Sequence, residues 1–256
     1  MYKVDLNCDM GEGFGAYRMD TDKDILPYIS SANIACGFHA SDPQTMDGAV
    51  QLALNADVGV GAHPGYPDLL GFGRRNIDAS PAEVEAYVTY QLGALSAFAT
   101  SRGGRLSHVK PHGAMYNMAA KNPALAEAIC KAIRNFDSGL VLLGLSGSAM
   151  LAAAEKLGLS HAGEVFADRA YEPDGSLVAR SKPGAMITDE DLAVERVIRM
   201  VTEGRVRAID GTDIAIRADS VCIHGDSPKA VLFAEKIHSA LVDAGVRIVS
   251  LAEVIR

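Results

Sequence analysis

Side chains that can do chemistry follow the short apolar runs of this sequence at several separate points. Asn7, Asp9 and Glu12 come after the first run, and His39 and His63 come after the next two. The same pattern continues along the chain at Lys110, His112, Glu164, Asp168, Arg169, His224 and Asp226. Carboxylates beside neutral imidazoles supply general bases and acids near neutral pH. The sequence therefore predicts an active site assembled from distant segments.

Two further chemistries are open to this set. Lys110 and Arg169 have the charge to hold a carboxylate, a phosphate or an oxyanion. The aspartate and histidine side chains could also ligate a divalent metal and activate water. The chain contains no HExxH, and the spacing of Lys110-Pro111-His112 is not a metal motif. A metal site is therefore predicted from residue types alone.

Simpler roles compete with the catalytic ones at several positions. A single histidine at a strand end more often makes a structural hydrogen bond, but five of the seven histidines fall in such turns. Glu12 could serve only a glycine turn, and Arg169 could only pair with Asp168 on the rim, where an exposed pair stabilises little. Three other polar residues are expected to be helix caps and nothing more: Asp42, Ser146 and Ser227.

Eight short runs are predicted to be strands, and several are apolar throughout, as expected when both faces of a parallel sheet are buried. They are residues 3–8, 32–36, 58–62, 106–110, 140–144, 164–167, 220–224 and 246–251. The segments between them look helical, since capping residues precede Pro43, Pro81, Pro123 and Pro228, and Ser80 with Glu83 forms a capping box. Among the later helices, the one after Thr188 is expected to bury Leu192, Ile198 and Val201.

Strand followed by helix, repeated seven or eight times, predicts right-handed βα units around a parallel sheet. The glycines at residues 11–15 do not make a dinucleotide-binding fingerprint, so we favour a barrel of seven strands, distorted from the eight-stranded form, over an open sheet. In a barrel all strand ends meet on one face, and that face holds the active site. We expect one domain over residues 1–256, with the polar segment 168–187 forming a hairpin or a lid.

Composition excludes several classes of protein. A net charge of −8 argues against nucleic acid or an anionic membrane as the main partner, and no secretory signal or membrane span is visible. The four cysteines show no CxxC pairing and are expected to be buried thiols in a reducing compartment, which places the protein in the cytoplasm. No GxSxG elbow and no Walker A sequence occurs, so ATP, if it is used, binds unconventionally or on another subunit.

Six sequence blocks, in order and covering essentially the whole chain, resemble the LamB/YcsF family. They are VDLNCDMGEGFG (4–15), NIACGFHASDP (33–43), GVGAHPGYPDLLGFGRR (59–75), HVKPHGAMYN (108–117), FADRAYEPDGSLVARSKPGAMI (166–187) and CIHGDSP (222–228). The resemblance implies a seven-stranded β/α barrel of the glycoside hydrolase/deacetylase type. It also implies a complex with two further subunits, which opens the lactam of 5-oxo-L-proline to L-glutamate while hydrolysing ATP to ADP and phosphate.

This resemblance gives the predicted site a chemical task. We expect Asp9 or His63 to act as base on water and His112 or His224 to act as acid, with the same four residues as candidate metal ligands. Lys110 and Arg169 would bind the substrate carboxylate or the phosphate. The remaining expected contacts to substrate, to a cation or to the histidines are Asn7, Glu12, His39, Glu164, Asp168 and Asp226.

Two other functions stay open at this point. One is a metal-dependent deacetylase or related carbohydrate hydrolase, which would use the same barrel with a His/Asp metal site. The other is a regulatory or carboxylate-binding subunit whose partners do the chemistry, although gathering Asp9, Glu12, Asp168 and Asp226 in one place is unusual for an anion site. ATP is expected mainly on the partner subunits, a divalent metal is a candidate cofactor, and a homodimer is plausible.

Overall fold

Parallel strands close into a barrel in the computed structural model, which describes residues 2–17, 21–223 and 230–255. The strands in these ranges are β1 (Lys3–Met10), β2 (Ser31–Ala35), β3 (Gly59–His63), β4 (His108–Val109), β5 (Val141–Leu145), β6 (His161–Phe166), β7 (Arg205–Arg207), β8 (Asp213–Ala215), β9 (Ser220–Cys222) and β10 (Arg247–Ile248). Strands β1 to β6 follow one another around the barrel, and β9 lies between β6 and β1. The predicted seven-stranded closure is confirmed for the described residues.

The register of β1 shows how the barrel closes. On one side Cys8 lies opposite Ala32 of β2, and on the other Leu6 lies opposite Val221 of β9. Strand β10 pairs only with the start of β1, at Lys3, so the predicted last strand is shorter than expected and lies outside the seven-membered ring. Strands β7 and β8 form a separate antiparallel pair.

Helices follow most strands and cover the outside of the barrel. They are α1 (Asp22–Ile25), α2 (Pro43–Asn55), α3 (Pro81–Ser101), α4 (Gly113–Ala119), α5 (Pro123–Phe136), α6 (Ala149–Leu157), α7 (Glu190–Glu203), α8 (Ala230–Asp243) and α9 (Leu251–Val254), with a 3-10 helix at Leu26–Tyr28. Within the described ranges, no helix has both the length and the apolar content to cross a membrane.

Three of the predicted helix starts are confirmed by their hydrogen bonds. The side chains of Asp42, Ser80 and Asn122 each accept from backbone amides of the first turn, and Ser80 forms the full capping box with Glu83. Each of these bonds satisfies an amide that has no partner inside the helix. The expected cap at Ser227 lies outside the described residues.

Two local predictions were wrong. Ser146 is not a helix cap: α6 starts after Ser148, and Ser146 Oγ instead accepts from the amide of Arg217 at 3.0 Å. The expected face of helix α7 was also wrong, since Leu192 is 44% exposed, although Val201 packs against the core. The buried residues of α7 are Ala193, Val197 and Met200.

Strand β1 shows that the interior of the barrel is polar. Its residues alternate strictly, with Val4, Leu6, Cys8 and Met10 on one face and Asp5, Asn7 and Asp9 on the other. Successive side chains of a strand point to opposite faces, so the polar set shares one direction. Asp5 accepts from the hydroxyls of Ser30, Ser31 and Ser220, which belong to or precede neighbouring barrel strands. The apolar set belongs to the main hydrophobic core.

Candidate active site

A cavity of about 510 Å³ opens beside the carboxyl ends of the strands. Six of the predicted site residues line it: Asp9, Glu12, His63, Lys110, His112 and Arg169. Asn7, His39 and Glu164 do not line the cavity but contact residues that do. Asp168 lies next to Arg169 and is not among the lining residues. His224 and Asp226 lie outside the described residues.

Lys110 occupies the centre of the barrel's polar interior. Its Nζ lies 2.8 Å from Asp9 Oδ1 and 2.8 Å from Glu164 Oε1, and it donates to Asn7 Oδ1 at 3.1 Å. Burial alone would discharge this amine, but the charge of Asp9, with smaller effects from Cys222 and Glu164, raises the pKa of Lys110 well above its usual value. Lys110 is therefore a buried ammonium group held between two carboxylates.

Asn33 and His108 form a layer behind Asp9 that the sequence analysis missed. Asn33 Nδ2 donates to Asp9 Oδ1 at 2.9 Å and to Asn7 Oδ1 at 2.8 Å, and His108 Nε2 lies 2.8 Å from Asn33 Oδ1. Because an amide oxygen only accepts, the proton of this contact is on His108 Nε2. Asp9 is thereby held by two donors, Asn33 and Lys110.

The absence of a side chain at Gly61 makes room for this layer. A Cβ atom at Gly61 would lie 2.0 Å from His108 Nε2, so only glycine fits opposite the imidazole. Gly61 and His108 both lie in sequence blocks that carry the family resemblance. Neither is a polar residue at the end of a predicted strand, so neither was predicted to belong to the site. Their role depends on pairing between β3 and β4, where Gly61 lies opposite His108.

Glu12 and three histidines form a compact group beside Asp9. One nitrogen or oxygen of each of Glu12, His39, His63 and His112 lies within 4.8 Å of those of the others. His39 and His112 are stacked with ring centroids 3.7 Å apart, and His39 Nε2 lies 3.3 Å from Glu12 Oε1. His63 Nε2 lies 3.3 Å from Asp9 Oδ2, which joins this group to the Lys110 network.

The hydrogen bonds of two of these histidines determine where their protons lie. His63 Nδ1 contacts the carbonyl of Lys110 at 2.7 Å, and His112 Nε2 contacts the carbonyl of Phe72 at 2.9 Å. A carbonyl oxygen only accepts, so these two nitrogens carry the protons. The remaining nitrogens, His63 Nε2 and His112 Nδ1, then face each other with lone pairs 2.9 Å apart.

Two facing lone pairs repel unless a cation lies between or beside them. Burial, and then the charge of His39, lowers the pKa of His112 well below its usual value. His39 Nδ1 is buried and makes no hydrogen bond among the described residues. Three imidazoles and a carboxylate are ligands suited to a divalent cation. The donor set therefore fits a metal ion, with His63 and His112 shared with the predicted ligands and Glu12 and His39 added to them.

Phe72 contributes through its backbone. Its φ of 53° lies in the left-handed region, which is uncommon for a bulky residue. In this conformation the carbonyl of Phe72 accepts from His112, and its ring packs edge-on against His39 and His112. Backbone strain of this kind is concentrated at functional sites.

Glu164 is deeper than the sequence analysis placed it. Strand β6 begins at His161, so Glu164 lies in the middle of that strand and not at its start, where the predicted strand 164–167 placed it. Its side chain is fully buried, with Oε1 next to Lys110 and Oε2 accepting from the hydroxyl of Tyr116 at 2.6 Å. Tyr116 lines the cavity and was also missed, although it lies in the same block as His112.

The segment 168–187 forms one wall of the cavity. Isolated antiparallel bridges join Arg169 to Met186 and Tyr171 to Leu177, which agrees with the expected hairpin, and residues 176–180 line the cavity. Arg169 is not an exposed rim residue: it is 5% exposed, and its Nη2 donates to the carbonyl of Val178 at 2.7 Å. Whether the segment moves as a lid stays a prediction.

The cysteines pack as expected. Cys8, Cys36, Cys130 and Cys222 are all buried and free of disulfides. Burial raises the pKa of Cys36 and of Cys130 to about 12, and those of Cys8 and Cys222 are also raised well above the usual value. Thiols in this state are poor nucleophiles.

Comparison with known proteins supports the resemblance seen in the sequence blocks. Residues 4–256 match the sequence profile described as the LamB/YcsF family. The chain belongs to this family. A LamB/YcsF relative from Clostridium beijerinckii, named as the A-subunit of 5-oxoprolinase, is 57% identical over 254 residues, which are 99% of this chain and 100% of the relative.

Solved structures agree with this assignment. The lactam utilization protein from Thermus thermophilus is 49% identical and superposes with a TM-score of 0.92, covering 97% of this chain and 99% of that one. A family 4 carbohydrate esterase from Streptomyces lividans is 12% identical with a TM-score of 0.51, covering 96% of this chain and 91% of that one. The second likeness shows that the esterase shares this barrel fold, and it bears on the fold alone.

Proposed function

We propose that this LamB/YcsF protein is the A-subunit of an ATP-dependent 5-oxoprolinase, a hydrolase that opens the lactam of 5-oxo-L-proline to L-glutamate. The observation that carries the proposal is the 57% identity, over nearly the whole length of both chains, to a protein of that name. The cavity is in keeping with it, because a carboxylate, imidazoles and an ammonium group surround one space.

ATP is needed because a five-membered lactam is an unreactive amide. Transfer of the terminal phosphoryl group of ATP to the carbonyl oxygen would release ADP and leave a more electrophilic carbon. Water adding to that carbon loses a proton to a base, and the C–N bond breaks as the nitrogen takes a proton from an acid. A second water then releases phosphate, so two waters and one ATP yield glutamate, ADP and phosphate.

Asp9 is proposed as the base, with His63 as the alternative where its Nε2 does not bind a cation. Asp9 is anchored on its Oδ1 side by Lys110 and Asn33, while Oδ2 lies 3.3 Å from His63 Nε2 near the cavity. A base must be fixed within reach of the proton that it abstracts. His112 lines the same cavity, but its Nε2 proton is held by the carbonyl of Phe72 and its Nδ1 is a proposed ligand of the cation. His112 is therefore proposed as the acid only where the cation is absent, and His224, which lies outside the described residues, is proposed for that role where the cation is bound.

Lys110 and Arg169 are proposed to hold anionic groups of the substrate. Lys110 is kept charged by its carboxylate neighbours, which suits it to stabilise negative charge that develops on oxygen. Asn7 and Glu164 support Lys110 from behind. Asp168 and Asp226 are proposed, as before, to contact the substrate, a cation or the histidines.

A divalent cation is proposed at Glu12, His39, His63 and His112. Two observations support this cation site: the facing lone pairs of His63 and His112, and the Nδ1 of His39, which has no hydrogen-bond partner among the described residues. When bound, such an ion polarises a carbonyl or phosphoryl oxygen and lowers the pKa of water. The protein's own part is to fix the imidazoles through the carbonyls of Lys110 and Phe72.

The proposal also covers the partner subunits, the cellular location and the oligomeric state, for which a homodimer of this chain is included. The name of the relatives implies further subunits, and we propose two, with ATP bound mainly by them. A cytoplasmic location is proposed because the reaction consumes ATP. Residues 1–256 are proposed to act as a single domain, and a homodimer of this chain within the complex is compatible with it.

Metal-dependent deacetylation of a carbohydrate is the second candidate, and the histidine cluster is the observation in its favour. One experiment separates the two: glutamate release from 5-oxoproline and ATP by the partner subunits, with and without this chain. The proposal expects glutamate only when the chain is present. Glutamate formation without the chain, or metal-dependent hydrolysis of acetylated chitooligosaccharides by the chain alone, would overturn it.

A further inference from the structure

The wall of the cavity is rich in positive charge. Among the described residues that line it are five cations and two carboxylates, Asp9 and Glu12. The cations are Arg74, Lys110, Lys121, Arg169 and Arg180. The protein as a whole carries a net charge of −8. A cleft that concentrates the opposite sign on its wall attracts anionic ligands.

These cations lie in distinct places. Lys110 is already paired with Asp9 and Glu164. Arg74 lies on the side of the histidine cluster, with its guanidinium 5.0 Å from the ring centroid of Phe72. Arg169 and Arg180 both belong to the hairpin segment 168–187, on another wall of the cavity.

Arg169 lacks a full set of partners. The side chain is 5% exposed, and its one hydrogen bond among the described residues is from Nη2 to the carbonyl of Val178. Its Nε is buried and has no hydrogen-bond partner there. Burial, and then the nearby charge of Arg180, lowers the pKa of Arg169. A buried charge is costly unless it is paired and hydrogen-bonded, so an anion at this point would offset a cost that the folded chain now carries.

We propose that Arg169 and Arg180 form a subsite for a dianionic phosphoryl group. This deepens the function proposed above and rests on it, since the phosphoryl group would be that of the activated lactam or of the phosphate it releases. Both guanidinium groups belong to one hairpin segment and line the cavity, so a dianion bound there could contact two cations, whereas a carboxylate carries only one charge. Guanidinium groups also present paired N–H donors that fit phosphate oxygens. Arg169 supplies the buried, fixed contact and Arg180 the exposed one.

The test is binding of inorganic phosphate to the purified full-length chain, measured by calorimetry. Arg180→Gln removes one charge from an exposed position and is not expected to affect folding. It should weaken phosphate binding by about tenfold or more, the usual effect of losing one charge-assisted hydrogen bond. Arg134→Gln is the matched control, because Arg134 is an exposed arginine of α5 that does not line the cavity. No phosphate binding by the wild-type chain, or equal binding by wild type and Arg180→Gln, would overturn the proposal.

A competition arm distinguishes phosphate from the substrate carboxylate. The proposal expects 5-oxoproline to leave phosphate binding unchanged; displacement of phosphate by 5-oxoproline would assign the two arginines to a carboxylate and contradict it. Failure of the subsite is separable from failure of the proposed function. If glutamate release requires this chain while Arg180→Gln binds phosphate normally, only the subsite is wrong. If the partner subunits release glutamate without the chain, the proposed function is wrong, whether or not the chain binds phosphate.

Discussion

The ammonium group of Lys110 lies 2.8 Å from Glu164 Oε1 inside the barrel, where Lys110 is 3% and Glu164 0% exposed. Replacing Lys110 with Met would leave Glu164 and Asp9 without their cation. Breaking a buried ion pair from one side costs about 3–5 kcal/mol because the remaining charge is uncompensated. We expect a loss of this size in the free energy of unfolding, measured by urea denaturation.

Lys131→Met is the matched control for this prediction. Lys131 pairs with Glu127 at 2.8 Å, but both side chains are exposed to solvent. An exposed pair contributes less than about 1 kcal/mol. Equal losses for the two variants would show that the pair of Lys110 and Glu164 is not the buried, desolvated contact described above.

The close packing of Gly61 against His108 can be tested by adding one methyl group. Gly61→Ala would place a Cβ 2.0 Å from His108 Nε2 and should destabilise the protein by about 1–3 kcal/mol, the usual cost of overpacking. Gly93→Ala provides a control, because Gly93 lies in α3 with no atom near its Cβ position. Alanine there should stabilise the helix by up to about 1 kcal/mol. If Gly61→Ala melts at or above the wild-type temperature, the layer formed by His108 and Asn33 is not tightly packed.

Sequence reasoning identified those parts of the molecule that depend on local patterns. The caps at Asp42, Ser80 and Asn122 are set by hydrogen bonds within one turn, so their residue types suffice to predict them. The apolar runs and their spacing predicted strands and helices in alternation, with eight candidate strands, and the family resemblance implied the count of seven that the barrel shows. The buried face of helix α7 was mispredicted because it depends on which neighbours the helix packs against, and these are not recorded within the segment itself.

The sequence predicted which residues belong to the site better than it predicted how they are arranged. Strand-end residues such as Asp9 and His63 were found because all strand ends of a barrel share one face. Asn33, His108 and Tyr116 were missed because their contacts depend on register between strands and on side-chain depth, which no single segment records. The opposed lone pairs of the histidines depend on carbonyl groups from other parts of the chain, at Phe72 and Lys110.

Asp22 makes stability depend on pH. Burial raises the pKa of this carboxyl from 3.8 to about 6, although the side chain accepts from the amide of Gly11 at 2.8 Å. Since the pKa is higher in the folded state, protonation favours folding. The stabilising contribution is complete below the unfolded pKa and is lost as the pH rises through about 6.

Replacing Asp22 with Asn would remove this titration and retain an oxygen that can accept from Gly11. We expect the variant to gain stability relative to the wild type as the pH rises from about 4 to about 7, measured as the difference in free energy of unfolding. Asp24→Asn, at an exposed position of the same short helix, serves as the control. A difference between wild type and Asp22→Asn that stays constant with pH would contradict the assignment.

The histidine cluster predicts a metal content for the purified chain. We expect about one divalent ion per chain by elemental analysis, because one such ligand group is present among the described residues. His39→Ala should weaken metal affinity by at least about tenfold, since even residues outside the ligand shell commonly contribute that much. His161→Ala should leave metal affinity unchanged, because His161 lies apart from the cluster at the start of β6. A wild-type protein that neither retains nor takes up a divalent ion would contradict this interpretation.

The most direct test of the central claim, that the Asp9 side of the cavity opens the lactam, is the turnover of Asp9→Asn. Glutamate release from 5-oxoproline and ATP would be measured with the partner subunits and saturating amounts of wild-type or variant chain. We predict a fall of about 10²–10⁴-fold, the usual contribution of a general base, in a chain that still folds. A lower melting temperature is expected as well, because Asp9 also pairs with Lys110, so turnover is measured well below it. Asp47→Asn, which alters an exposed pair with Arg102, should retain full activity. Near-wild-type glutamate release by Asp9→Asn would remove Asp9 from the mechanism and contradict the account.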